Sequence, residues 1–425
     1  MHLYRAALLR FADDGSAVYD ADGLLAVAPD SHGRQRVLAA GAWADLSKQY
    51  ARQAPVTHWP GRTIAPGFVD LHLHYPQTDV IGSPANGLLA WLESYTFPHE
   101  ARFAEPAHAA EVAPFFLDEL LRNGVTTALV FATSHPASVT ALFAEAQKRQ
   151  LRLISGKVLQ DRHSPDGVRD QTEQSLLDTE ALIQRWHGQG RLGYAITPRF
   201  APTSSEAQLR GAGALAAKYP DTWIHSHVAE NRDEVKWVRE LYPKSRSYLG
   251  VYQDFGLMRP RAVYAHCIHL DDTDRELMRQ TRTAAAVSPT SNLFLGSGFF
   301  NFEAAITHGV PHGLASDVGG GTSFCPFHTM LAAYYVGREG QSKPGLSLTP
   351  SQLWWAHTGA AARALGLEGV IGTLQAGTEA DFLVLNPKAT PLLARKTGRA
   401  QNLDELLFSL IVLGDDRVIE KVVVA

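Results

Sequence analysis

The stretch PGFVDLHLHYPQ, residues 66–77, decides how the rest of the chain is read. His72 and His74 sit one residue apart at the end of an apolar run that follows a proline-glycine pair. Residues i and i+2 of a strand share a face, so an HxH pair at a strand end aims two imidazoles the same way. They are either two metal donors or two ordinary core histidines. With 18 histidines in the chain an HxH pair arises readily by chance, so the rest of the sequence must choose.

Working outward, seven further strand-like runs follow: TTALVFAT, RLISGKVL, GYAITPRF, TWIHSHV, AVYAHC, TAAAVSP and HGLASD. Stretches of helical periodicity separate them, among them EVAPFFLDELLRNG, SVTALFAEAQKRQ and SEAQLRGAGALAAKY. Eight strands alternating with helices predict an α/β fold, a (β/α)8 TIM-type barrel. The segment before it (YRAALLRF, AVYDADGLLAVAP, RQRVLAAG) and the tail (GTEADFLVLNP, RVIEKVVVA) read as turns and strands. Together they predict a small β-sandwich-like domain built from both chain ends. The division is residues 1–64, then the barrel over 65–375, then 376–425. The last strand ends inside an apolar run and is expected to lack a hairpin partner. Residues 75–123 form an unusually long connection, rich in aromatics at AWLESYTFPHEARF, and connections of that length are usually functional.

The 425 residues are 45% hydrophobic and 19% charged with a net charge of −4, an ordinary globular balance. No basic stripe favours nucleic acid, and no apolar run approaches a membrane span. Two cysteines, Cys267 and Cys325, in no CxxC arrangement, argue against a disulfide scaffold and fit a reducing cytoplasm. HExxH, the HxE…PCxxC deaminase signature, GxSxG and the P-loop are all absent.

On a barrel, functional groups belong at the C-terminal strand ends. His72 and His74 end the first strand, and Pro198, Arg199 and Phe200 end the fourth. His225 and His227 lie on the fifth with Glu230 beyond, His266 ends the sixth, and Asp317 the eighth. His72, His74, His227 and Asp317 make a nitrogen and oxygen donor set suited to a borderline divalent ion such as zinc. Taken singly, each has a plainer explanation: Asp317 as a turn cap, His266 as a core histidine, Glu230 as part of an exposed helix start. Their joint placement favours the metal site. His225 shares a face with His227 and reads as a rival ligand or a deeper packing residue.

PGFVDLHLHYPQ, SHVAENRDEV, YAHCIHL, SPTSNL and ASDVGGG, in that order, resemble the amidohydrolase superfamily. WLESYTFPHEARF, FATSHP, GKVLQDR, TPRFAPTSS and HVAENRDEVKWV resemble more narrowly its guanine deaminases, from about residue 60 onward. The resemblance implies one zinc ion per chain on His72, His74, His227 and Asp317. Binuclear relatives need a strand-four lysine, which ITPRF lacks. It further implies deamination of guanine to xanthine and ammonia, in purine catabolism or salvage, by attack of hydroxide on C2. Asp317 takes the water's proton, Glu230 acts as general acid/base and His266 contacts the water or transition state. Gln77, Arg199 and Phe200 bind the substrate beside His227 and Glu230. Arg199 offers a planar donor fork to O6 and N7, Gln77 a donor and an acceptor to O6 and N1–H, and Phe200 an apolar wall. Trp91, Tyr95 and Phe97 are candidates to close over the mouth, and Ser291 and Asn292 to line it. A cytoplasmic homodimer is the family expectation. Rival readings are a deaminase or chlorohydrolase for another heterocycle (8-oxoguanine, a pterin, a triazine) and a metal-free barrel scaffold.

Overall fold

The computed structural model describes residues 1–84, 86–340 and 345–425. Three strands, β1 (His2–Phe11), β2 (Ala17–Pro29) and β3 (Gln35–Ala42), make an antiparallel meander, and β4 (Val56–Pro66) returns parallel to β1. Alternation along β2 gives this sheet two buried faces. Leu24 and Ala26 pack toward Trp43, Leu46 and Tyr50 of the helix Trp43–Tyr50, while Leu25 and Val27 pack toward Ile64 and Phe382.

Only Gly67 separates β4 from the next strand, β5 (Phe68–His74). A Cβ at Gly67 would lie 2.1 Å from Thr126 Oγ1, so no other residue fits where the chain passes into the barrel. There β5, β6 (Val125–Phe131), β7 (Arg152–Gly156) with its short continuation β8 (Val158–Leu159), β9 (Leu192–Pro198), β10 (Trp223–Val228), β11 (Ala262–His266), β12 (Ala284–Val287) and β13 (His312–Leu314) pair in parallel. These are the eight strands the sequence predicts, each buried on both faces as a helix-covered parallel sheet requires. The seam between last and first strand is joined at the mouth. The Asp317 N–H donates to His72 O (2.8 Å) and the His74 N–H to Val318 O (2.6 Å). The long connection is helical rather than a loop: short turns run Tyr75–Val80, Leu88–Trp91, Phe97–Ala101 and Arg102–Ala104, with a π-helical turn at Leu92–Thr96. No helix among the described residues is long and apolar enough to cross a membrane.

The tail returns to the first sheet. β14 (Phe382–Leu385) pairs antiparallel with β4, and β15 (Ile419–Val423) with β14, giving one six-stranded sheet in the order β15-β14-β4-β1-β2-β3. The last strand has no tight hairpin partner; it is an edge strand that pairs with β14 across a long excursion. One tail expectation needs correction. That excursion holds two helices, Pro391–Thr397 and Leu403–Leu413, which the reading of turns and strands passed over. The signals are present: Thr390 and Asn402 accept from the N–H groups of Leu393 and Glu405 as N-caps, and Asp404 and Glu405 occupy a first turn.

Beneath the barrel, His357 is fully buried, and its Nδ1 lies 3.0 Å from Val69 O. Burial pushes its pKa down to about 4. Unfolding frees the imidazole to bind a proton near pH 6.5, so its contribution is intact above that pH. It is lost as pH falls toward 4, by up to about 3 kcal/mol. His357→Gln keeps a donor for Val69 O and removes the titration. Urea midpoints at pH 7.5 and 4.5 should therefore differ less in the variant than in the parent. An unchanged difference would refute this source of acid sensitivity.

Candidate active site

His72 and His74 stand two residues apart at the end of β5, where the pairing with β6 shifts register between Asp70 and Leu73. The two rings meet in one cluster, while Leu71 packs with Val69, Leu129 and Ile154 and Leu73 with Ala128 and Val130. His227 projects from β10. Asp317 follows β13 in a left-handed conformation (φ 52°), which a short polar side chain tolerates and which the seam hydrogen bond to His72 O holds. The four side chains meet at the C-terminal end of the barrel. His74 Nε2 lies 3.2 Å from His72 Nε2, 3.3 Å from His227 Nε2 and 3.4 Å from Asp317 Oδ1. His72 Nε2 to Asp317 Oδ1 is 3.1 Å.

These atoms fit a metal ion. A regular tetrahedron with arms of about 2.0–2.1 Å has edges of about 3.3–3.4 Å. The outer nitrogens hold the rings so that their lone pairs converge. His227 Nδ1 donates to Arg199 O at 2.6 Å, and His72 Nδ1 lies 2.8 Å from His225 Nε2. With those outer nitrogens donating, Nε2 of His72 and of His227 turns a lone pair toward the cluster, and the buried His74 ring, whose Nδ1 has no partner, brings its Nε2 to the same point, a donor set that a shared cation would satisfy. Burial lowers the pKa of His72, pushes that of His74 down to about 3 and holds His225 and His227 well below the ordinary value. His225 is thus behind the cluster, supporting His72, rather than in it.

Glu230 follows Ala229, itself left-handed (φ 51°), and turns its carboxyl into the same cleft. Ser297 Oγ donates to Glu230 Oε1 (2.9 Å), and His266 Nε2 lies 3.3 Å from Glu230 Oε2 and 3.8 Å from Asp317 Oδ2. Burial, reinforced by the charge of Asp317, raises the Glu230 pKa to about 8, so the carboxyl carries a proton at neutral pH. His266 Nδ1 lies 2.8 Å from Asn292 Oδ1, which explains why an asparagine stands at that position of SPTSN. Behind Glu230, Glu234 accepts from the backbone N–H groups of Glu230 and Asn231 and from Tyr248 Oη (2.5 Å).

The far wall brings Gln77, Arg199 and Phe200 together with Trp91. Phe97 lies 5.0 Å from the Arg199 guanidinium carbon. Tyr95 instead packs behind the cleft with Val80, Leu88 and Trp91. Sequence reasoning missed Glu100, which is fully buried and accepts from both Gln77 Nε2 (2.9 Å) and Arg199 Nη1 (2.7 Å). It also missed Ser297 and Glu234. Glu100 lies in the quoted aromatic connection, but nothing local reveals that its partners are 23 and 99 residues away. The remaining candidate residues His74, Gln77, Arg199, Phe200, His227, Glu230, His266 and Asp317 all border this one cleft, and His72 lies fully buried behind it, 3.1 Å from Asp317 Oδ1.

The amidohydrolase family model matches residues 63–425. The chain is 44% identical to the guanine deaminase of Escherichia coli K12 over 379 residues, 89% of this chain and 85% of that protein. The solved structure of E. coli guanine deaminase superposes with a TM-score of 0.95 at 40% identity, covering 100% of this chain and 98% of the other. Guanine deaminase from C. acetobutylicum, solved with guanine bound in its active site, superposes with a TM-score of 0.90 at 29% identity over 100% and 98% of the two chains.

Proposed function

The chain belongs to the amidohydrolase family, and on that premise we propose that it catalyses the hydrolytic deamination of guanine to xanthine and ammonia. The observation that carries this reading is the convergence, at one cleft, of a four-donor cluster, a buried carboxyl whose pKa burial raises and an Arg/Gln pair.

His72, His74, His227 and Asp317 would hold a single divalent ion, zinc in our reading. When bound, such an ion polarises oxygen and makes water nucleophilic at neutral pH. The side chains do the rest. Arg199 and Gln77 hold the purine by its O6 edge, with Phe200 and Trp91 shielding the ring from solvent. Asp317 accepts a proton from the water that adds to C2. Glu230 delivers its proton to N3, which takes up electron density as the C2–O bond forms. Glu230, now a carboxylate, takes the proton of the added C2 hydroxyl and gives it to the C2 amine, which leaves as ammonia as the C2–N bond breaks and the C2 carbonyl forms; the proton held by Asp317 then restores Glu230. His266, with Nδ1 directed at Asn292 Oδ1, turns Nε2 toward the adding oxygen. A homodimer and a cytoplasmic location complete the proposal; light scattering after gel filtration tests the first.

Ammonia release from a panel of guanine, 8-oxoguanine, pterins and triazines, with metal content measured on the same sample, tests the reading as a whole. Selectivity tests its recognition half. 2,6-Diaminopurine keeps the C2 amine but replaces O6 with an amine, and its N1 carries no hydrogen. An unpaired buried polar group costs about 1–3 kcal/mol, and sites built on hydrogen bonds reject mismatched analogues strongly. The parent should prefer guanine by a kcat/KM ratio on the order of 10³. Arg199→Lys should lose most of that preference, because an ammonium cannot reproduce the planar fork. Equal use of both purines by the parent would replace guanine with a broader aminoheterocycle as the substrate.

A further inference from the structure

Resting on the guanine reading above, we propose that Glu100 is the positioning residue that sets the direction in which the pocket reads the purine edge. A glutamine side chain is ambidextrous. Its amide has an acceptor on one side and donors on the other, and rotation by about 180° about the last bond exchanges them. A free Gln77 would suit guanine in one orientation and an amino-substituted edge in the other, and would discriminate neither.

Gln77 is not free. Its Nε2 donates to Glu100 Oε1 at 2.9 Å, and its Oε1 accepts from the Gly319 N–H at 3.2 Å. A carboxylate offers acceptors only and a backbone N–H is a donor only, so these two partners admit one orientation of the amide. Reversal would set oxygen against the carboxylate and NH2 against N–H, losing both bonds in a site where Gln77, Glu100 and Arg199 are all buried. What remains for a ligand is one N–H and one lone pair of Gln77. These match the acceptor O6 and the donor N1–H of guanine, and oppose the reversed edge of 2,6-diaminopurine.

The same carboxylate fixes the second reader. Glu100 Oε2 accepts from Arg199 Nη1 at 2.7 Å, and Phe97, three residues earlier on the same helical turn, stacks near the guanidinium. One nitrogen of the fork is committed to Glu100, which determines how the other donors face the cleft. Glu100 therefore joins the turn after β5 to the end of β9 through a residue of the roof. Its hydrogen bonds go to Gln77 and Arg199, and among the described residues none joins it to the donor cluster or Glu230, so its effect belongs to recognition rather than to bond breaking.

Glu100→Gln is the discriminating change. If the new amide turns its oxygen to Arg199, it presents NH2 to the NH2 of Gln77, and the lock fails. The experiment measures kcat and KM for guanine and 2,6-diaminopurine with the metal-loaded parent, Glu100→Gln and Glu100→Asp, with metal content and Tm taken on each sample. For Glu100→Gln we expect normal metal content, a loss for guanine mainly in KM, and a guanine preference narrowed by at least about tenfold. Glu100→Asp, still acceptor-only, should keep more of the preference than Glu100→Gln. An equal loss on both purines, or an unchanged ratio, overturns the proposal. So does loss of the fold in both variants, which would make Glu100 a folding residue first. The parent arm alone tests the guanine reading, so the two ideas fail separately.

Discussion

Glu230→Gln should slow ammonia release from guanine by roughly 10²–10⁴-fold while metal content and guanine binding persist. The substitution preserves size and keeps an acceptor for the Ser297 hydroxyl, so the cleft keeps its shape. What disappears is a transferable proton on a group whose pKa, near 8, leaves it protonated at neutral pH. Single-turnover rates at saturating guanine isolate the chemical step. If the variant loses its metal instead, Glu230 is a ligand and the role assigned to it is wrong. If turnover stays near normal, another acid serves, and His266, 3.3 Å away, is the group to examine next.

His72→Ala should remove metal and activity together and leave a folded barrel. His72 Nε2 lies close to two other members of the donor cluster, and its loss also strands His225, whose Nε2 lies 2.8 Å from His72 Nδ1. The site is at the mouth rather than in the packed layers of the barrel, so circular dichroism should remain that of the parent even if Tm drops. Elemental analysis of the parent should find about one ion per chain. About two would reject the single-ion site, and full activity in the variant would reject the cluster altogether. Chelation of the parent followed by readdition of zinc gives the same comparison without a substitution.

The barrel was legible because its strands are short apolar runs set between helices of clear amphipathic period, a pattern that tertiary context did not override. The donor cluster was legible for a related reason: strand ends fix which side chains can meet, so His72, His74, His227 and Asp317 could be joined across 245 residues of chain. The supporting groups were not. Glu100 and Ser297 act through partners set by the packing of the long connection and of the segment after β12, where no period ties sequence spacing to distance. Glu234 instead completes a capping box with Asn231 at the start of the helix Arg232–Leu241, a local signal that was passed over. His225 and Asn292 were visible as residue types, but the ring or amide each faces depends on side-chain geometry. The two tail helices carried ordinary cap signals and were passed over because a strand was expected there.

The seam of the barrel has a consequence for a chain still leaving the ribosome. His72 and His74 emerge early, but their strand finds its second neighbour only through the residues around Asp317 and Val318. A nascent chain that has released only the first half of the barrel displays two histidines with no cage around them. The cage forms when the last strand docks, after the strand carrying His227 is already in place. On the single-ion proposal, ion capture would thereby fall to a nearly finished molecule, and truncated chains that stop short of Asp317 would hold an incomplete donor set.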